Sequence, residues 1–429
     1  MKKACIIGAG PSGITAAKNL LQVGITDFVL YEKSDKIGGN WVYSEEKGHS
    51  SVFETTHIIS SKPLSQYEDF PMPEHYADYP SHQELYEYFN NYAKHFNVTD
   101  YIQFKTAIQS AEIDENGNWL ITLNDGSVER FEYLIVCNGH HWNPRMPEYE
   151  GNFSGEFIHS HDFKNSRGYE DKKVLVIGGG NSACDIAVES SRVSTKTFIS
   201  MRRGYYFIPK FLLGNPVDQL NNGVGFVPKF LRNVIFKLLL KLTVGDHNNY
   251  GMQKPDHGFL ESHPVVNSEL LYFIKHGKIK AKVDIDKLDG NTVHFKDGSS
   301  ETIDIIVAST GYKITFPFFD KALVNFEAGY VPLYKKVFHP KIENLFFVGL
   351  VQPMGCIWPL SDAHSKLVAN KIAGNYMLPK HINTSIEADI KKISTQFINT
   401  PRHTVQVDYH DHLAELKKEL PKNVPVWNG

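Results

Sequence analysis

Two glycine clusters and the charges that follow them carry most of the chemistry open to this sequence. The first is Gly8-Ala-Gly10-Pro-Ser-Gly13. Gly8 suits a tight strand-to-helix turn, Gly10 lets backbone approach a pyrophosphate, and Gly13 lets the helix pack against its strand. The pyrophosphate would meet the helix amides at the positive end of the dipole. Glu32, about 20 residues on, suits a bidentate hydrogen bond to a ribose diol. The second cluster is Gly178-Gly-Gly180-Asn-Ser-Ala183, where Ala183 supplies the third small residue. Its second strand leads into Ser200-Met-Arg202-Arg203, with no acid. A carboxylate there would repel a 2′-phosphate, whereas arginines fork onto one and Ser200 can donate to it. One site with an acid and one with arginines imply two dinucleotides and hydride transfer between them. A flavin fed by NADPH is the economical reading.

The elements around these residues follow a repeated grammar. Lys3–Ile7 reads as a strand, Ile14–Val23 as a helix and Phe28–Tyr31 as a second strand, one βαβ unit. The order returns with a strand at Val174–Ile177, a helix from about Cys184 to Ser190 and a strand at Thr197–Met201. Residues 101–136 alternate apolar and polar residues around Asn116-Gly117 and Asp125-Gly126, the pattern of antiparallel hairpins. Further strands are expected at Tyr133–Cys137, Asn291–Phe295, Asp304–Ala308 and Leu345–Val348, and helices from about residue 365 onward. The fold class is therefore α/β: two Rossmann-like dinucleotide-binding domains, for FAD and NADPH, with antiparallel β insertions. The expected boundaries are 1–165 for the first part of the FAD domain, 166–300 for the NADPH domain with a helical insertion at about 205–262, and 301–429 for the return to the FAD domain and C-terminal helices. In the insertion, Lys229, Arg232, Lys237 and Lys241 interleave with Phe230, Val234, Leu238 and Leu242. That is a basic amphipathic helix, to be packed on its own domain with solvated lysines or turned to a membrane surface or substrate path.

Composition narrows the rest. The chain has 429 residues, 41% hydrophobic and 22% charged, with a formal net charge of -3. These are the proportions of a globular protein of two to three domains, not of a disordered or disulfide-scaffold chain. No global basic field argues for a nucleic-acid partner. The 4 cysteines, Cys5, Cys137, Cys184 and Cys356, form no CxxC pair and read as free thiols in a reducing compartment. A thiol-disulfide oxidoreductase would share the two-dinucleotide layout but needs a redox cysteine pair. No apolar run reaches the roughly 18–20 residues of a membrane span, and glycines and a proline interrupt the signal-like start. A cytoplasmic protein without membrane contact is expected, and a homodimer is one assembly it could form.

Phe153-x-Gly155-x-x-x-His159-x-x-x-Phe163, just before the second glycine cluster, resembles the identifying pattern of flavin-containing monooxygenases, shared with variations by Baeyer–Villiger monooxygenases. Gly38-Gly39-Asn40-Trp41 resembles the flavin-contacting element of that family. Asp69-Phe70-Pro71, Tyr101–Thr106, Ser309-Thr310-Gly311-Tyr312 and Gly349-Leu-Val-Gln352-Pro353 stand in family order. The resemblance covers nearly the whole chain and is to the shorter bacterial forms. It implies FAD held by Gly8, Gly10, Ser12, Gly13, Glu32, Lys33, Gly39, Asn40, Trp41, Ile108 and Gln352. It places NADPH on Gly178, Gly180, Asn181, Ser182, Ser200, Arg202 and Arg203. It further implies oxygen addition to the reduced flavin to give a C4a-hydroperoxide, which oxygenates a soft nitrogen or sulfur of an amine or sulfide. The cofactor does the chemistry in such a scheme, so none of the 20 histidines is assigned a triad. His159 is expected to brace a domain junction.

At one position the chain leaves the pattern. The eukaryotic-type enzymes carry Thr-Asn where this chain has Ile58-Ile59, and that asparagine helps to hold the hydroperoxide. An isoleucine offers no hydrogen bond. In an extended segment His57 would share the face of Ile59 and Ser60 would point away, so these three residues are the candidate catalytic positions. The function classes left open are oxygenation of nitrogen or sulfur, Baeyer–Villiger oxygenation of a ketone, and an uncoupled NADPH oxidase or flavin reductase.

Overall fold

The computed structural model describes residues 2–221, 229–258, 261, 264–326, 331–396 and 404–421. They form two compact units, one of Met1–Val42, Lys62–Asn143 and Lys313–Gly429, the other of Tyr43–Ser61 and Pro144–Tyr312.

In the first unit the strand Lys2–Ile7 lies between Phe28–Tyr31 and Val128–Val136, parallel to both. Ile102–Gln103 extends the parallel part on one side, and Leu345–Phe347 pairs in parallel with the second half of Val128–Val136. The first half of that strand pairs antiparallel with Trp119–Leu123, which pairs with Ile108–Ile113. The two expected hairpins are therefore present. Residues 133–137 do not make a separate strand, because they continue the last arm of the second hairpin. Trp119, Phe131, Leu134, Phe319 and Phe347 fill one face of this sheet. On the helical side, the helices Pro11–Gln22 and Trp358–Ile372 pack together around a fully buried Lys18. Its ammonium reaches Asp362 at 2.8 Å and Asp69 at 2.6 Å, and Thr15 Oγ1 donates to the same Asp362 oxygen at 2.8 Å. Burial pushes the Asp362 carboxyl up, but Lys18 and Lys366 outweigh it and hold the group well below the usual carboxylate range. A buried charge persists only when paired in this way.

In the second unit Ile279–Lys282, Lys196–Ser200, Lys173–Ile177, Ile305–Ala308 and Glu156–His159 form an all-parallel sheet in that order. A smaller sheet joins Ser300–Thr302, Thr292–Phe295, Ile285–Gly290 and Glu150–Phe153. The helix Asn181–Val193 covers the larger sheet, with Ala183, Ile186 and Ala187 buried against Val174 and Val176.

The boundaries expected at 165/166 and 300/301 move to 143/144 and 312/313, and residues 43–61 join the second unit. The reason is strand pairing: Glu150–Phe153 and Glu156–His159 are hydrogen-bonded only into second-unit sheets, as is Ile305–Ala308. The insertion holds the helix Lys229–Thr243, two 3-10 turns and short strands. Val234, Leu238 and Leu242 are 59%, 58% and 75% exposed, so they do not pack on the unit as the first of the two amphipathic readings required. The side chains of Lys229, Phe230 and Arg232 lie outside the described residues. Among the described residues no helix is long and apolar enough to cross a membrane. All 4 cysteines are free and buried.

Candidate functional site

In the first unit each glycine of the loop has a measurable reason. Gly8 has φ +96°, and a Cβ there would lie 3.0 Å from the Cys137 carbonyl oxygen. A Cβ on Gly13 would lie 1.8 Å from the Gly8 carbonyl oxygen, so nothing larger lets the helix approach its strand. Gly10 differs: its Cβ would meet nothing nearer than Gly39 Cα at 3.7 Å. It caps the Pro11–Gln22 helix without a side-chain hydrogen bond, and the first turn holds no acid. The helix end thus presents backbone donors and a positive dipole beside open space, which suits a pyrophosphate.

Glu32 stands at the end of Phe28–Tyr31, buried, and its two oxygens accept from Ala9 N at 2.7 Å and Ser34 N at 2.8 Å. Each carboxylate oxygen keeps lone-pair capacity for a hydroxyl. Gly39 approaches Gly10 closely, a Cβ on it lying 3.2 Å from Gly10 Cα. Asn40 Nδ2 donates to the His141 carbonyl at 3.1 Å, and Trp41 meets Trp358 edge to face at 5.5 Å. Ser12 pairs with Ser361 through their hydroxyls at 3.0 Å. The exposed Lys33 sets its ammonium 5.9 Å from the Trp142 ring centre. Ile108 packs on the sheet core. Gln352 pairs in register with Gln406 and its side chain bonds His140, whose imidazole burial pushes down to about 4. Gly8, Gly10, Gly13, Glu32, Gly39 and Asn40 are thus gathered around one helix N-terminus, and the arrangement fits the pyrophosphate and ribose of FAD.

In the second unit Gly178 has φ +128°, and a Cβ there would lie 2.5 Å from the Ser309 carbonyl oxygen. Gly180 caps the Asn181–Val193 helix with no side-chain bond, no acid in the first turn and nothing within 4 Å of an added Cβ. The same fit to a pyrophosphate holds. Asn181 turns its amide oxygen to Val266 N at 2.8 Å, so it ties the strand Val265–Val266 to this helix, while Ser182 is exposed. Ser200 is buried and donates its hydroxyl to the Val283 carbonyl at 2.7 Å. Its one hydrogen is used in that bond. Arg202 is exposed, and Arg203 is half-buried with an unpartnered Nε.

The segment 57–60 bends at residues 59 and 60 and lies in no strand, while its burial alternates along the chain. Ile58 and Ser60 are buried, Ile59 is half-buried, and the exposed His57 turns Nδ1 to the Thr55 carbonyl at 3.0 Å. His159 joins Nε2 to the Gly311 carbonyl at 3.1 Å and accepts the His161 amide on Nδ1. Burial holds its imidazole down at about 4. Both contacts lie within the second unit.

A family model described as flavin-binding monooxygenase-like matches residues 1–425. The chain belongs to that family. It is 34% identical to flavin-containing monooxygenase 5 of Rattus norvegicus, over 97% of this chain and 82% of that protein. It is 33% identical to the rat dimethylaniline monooxygenase [N-oxide-forming] 2, over 98% of this chain and 83% of that protein. The solved structure of S-allyl-L-cysteine S-oxygenase from Allium sativum matches its fold with TM-score 0.74 and 23% identity, over 100% of this chain and 90% of that one. As a flavin-containing monooxygenase, the protein uses FAD and NADPH. The cluster around Gly10 and Glu32 then suits the flavin dinucleotide, and that around Gly180, Arg202 and Arg203 suits NADPH.

Sequence reasoning missed three contributors. Tyr205 covers the middle glycine of the second loop, a Cβ on Gly179 falling 2.1 Å from its ring. Lys18 and Asp362 anchor the helix that would hold the pyrophosphate. The one available signal was a lysine inside an apolar helix face, beside Ala16, Ala17 and Leu20.

Proposed function

We propose that this flavin-containing monooxygenase transfers one atom of O2 to a soft nitrogen or sulfur of a small amine or sulfide. The observation that carries this reading is its near-full-length similarity to a relative named as N-oxide-forming. The S-oxygenase name of a structural neighbour adds sulfur to the class. When bound, the flavin activates oxygen with electrons from NADPH. The chain's own task is binding and orientation. Gly10 and the first helical turn receive the flavin pyrophosphate, Glu32 accepts ribose hydroxyls, and Arg202 with Arg203 selects the 2′-phosphate of NADPH. Amine nitrogen and thioether sulfur carry their own lone pair, so no side chain has to remove a proton from the substrate.

Ile59 favours a second reading, a partly uncoupled NADPH oxidase, because its side chain has no hydrogen bond to offer where relatives carry an asparagine. The test incubates the holoenzyme with NADPH, 18O2 and in turn dimethylaniline, methyl phenyl sulfide and cyclohexanone. An N-oxide or sulfoxide carrying 18O is the expected product. A lactone alone would replace the proposal with ketone oxygenation, and peroxide alone would replace it with the oxidase.

A further inference from the structure

The second unit holds a cleft of about 350 Å³ between the insertion and residues 267–271, away from its glycine loop in sequence, with Phe207, Leu212, Val244 and Leu271 in its walls. The volume and lining are those of small-molecule sites. Its polar wall groups are almost wholly engaged within the protein. Asn267 donates Nδ2 to Asp185 at 2.6 Å and accepts the amides of Glu269 and Leu270 on its oxygen. Thr243 donates to the Leu239 carbonyl at 2.8 Å, and Tyr250 to the Val244 carbonyl at 2.7 Å. The Lys275 ammonium already lies 5.1 Å from the Tyr250 ring centre, so this ring is taken as a cation platform. The Ser268 hydroxyl, which accepts the Lys210 amide at 2.9 Å, and the second Nδ2 hydrogen of Asn267 remain for an acceptor.

The mouth of the cleft is unusual. Leu213 lines it yet is 88% exposed, and it has φ +52° in the turn of a two-residue hairpin, followed by Gly214 at φ +81°. That turn geometry calls for Asn or Gly at its first central position. A leucine there is strained and unsheltered, and such an outlier points to function rather than stability.

We infer that this cleft is a second ligand site, for an uncharged apolar small molecule bearing at most two hydrogen-bond acceptors, with Leu213 closing over it. A cation would lose its water and find no carboxylate among the lining residues. The inference does not depend on the oxygenation chemistry and is tested without NADPH.

Two isosteric probes decide it, tert-butylbenzene and phenyltrimethylammonium, titrated against the FAD-loaded full chain by saturation-transfer NMR. The neutral probe should bind saturably and at least tenfold more tightly than the cation. Leu271→Trp, which fills the cleft, should weaken the neutral probe at least tenfold. Leu213→Asn suits the turn, and should weaken the probe severalfold while the unfolding midpoint stays or rises. Equal affinity for the two probes, or neutral binding untouched in both variants, would overturn the inference.

Discussion

The Gly8 carbonyl oxygen sits where a side chain on Gly13 would have to go, 1.8 Å from its ideal Cβ. Helix and strand are therefore locked by the absence of a methyl group, while Gly10, three residues earlier, leaves space that no protein atom claims within 3.7 Å. The two glycines should fail differently. Gly13→Ala should destabilise the whole first unit, lowering the unfolding midpoint even of apoprotein. Gly10→Val should keep the apoprotein fold and lose FAD, because its side chain occupies the space that suits the pyrophosphate. Flavin absorbance of the purified variants and the melting of deflavinated samples check this. A fully yellow Gly10→Val protein would move the flavin to another motif.

The Ser200 hydroxyl and the arginines beyond it should separate in a cofactor titration. Arg202→Ala should lower NADPH affinity by about 1.5–3 kcal/mol, the worth of a charge-assisted bond, or roughly ten- to a hundredfold. NADH should be little affected. Ser200→Ala should leave the NADPH-to-NADH ratio unchanged, since its hydrogen already goes to Val283. Equal loss of both cofactors in Arg202→Ala would mark that arginine as structural.

Ile59→Asn restores the amide of the family pattern. It should lower hydrogen peroxide formed per NADPH consumed, provided the amide finds partners, because an unsatisfied buried amide costs about 1–3 kcal/mol. Peroxide assays under steady-state turnover give the ratio. Tight coupling in the unmodified protein would show that another group has taken over the role.

Asp185 lends the second unit a pH dependence. Burial raises its carboxyl from 3.8 to about 6, against the pull of Lys210 and the Asn267 hydrogen bond. The folded state therefore keeps a proton that the unfolded chain releases earlier, and stability falls as pH rises from about 4 to about 6. Asp185→Asn does not titrate and still accepts from Asn267. It should stabilise the protein by about 1–3 kcal/mol near neutral pH, with the gain shrinking toward pH ~4. Urea unfolding at several pH values reads this, and a gain independent of pH would contradict it.

The paired nitrogens of His364 and His412, 3.2 Å apart, add the opposite slope. Burial pushes both imidazoles down, that of His412 to about 4. Their neutral forms favour the fold above the ordinary histidine value of 6.5, and this contribution is lost as pH falls toward 4. His412→Leu should flatten the acid limb of the stability profile, measured by thermal melts between pH ~4 and ~7.

Local chemistry was legible in the sequence because it is local. A strand, a turn of glycines, a helix and an acid in register lie within one short stretch, so Gly8 to Glu32 and the hairpins around Gly117 and Gly126 could be read without partners. The arginines after the second cluster were legible for the same reason. Other features arise from residues far apart in the chain. Glu150–Phe153 and Glu156–His159 join the second unit because strands more than a hundred residues later pair with them, which no local pattern encodes. Ser200 read as a phosphate donor until Val283 took its hydrogen, and the 57–60 segment read as extended until it bent. Lys18 could be placed in an apolar face only because Asp69 and Asp362 meet it there, and that meeting requires the packed helices. Spacing along the chain dictates which dinucleotide chemistry is available, whereas the hydrogen bonds of each polar group depend on neighbours that only folding brings within reach.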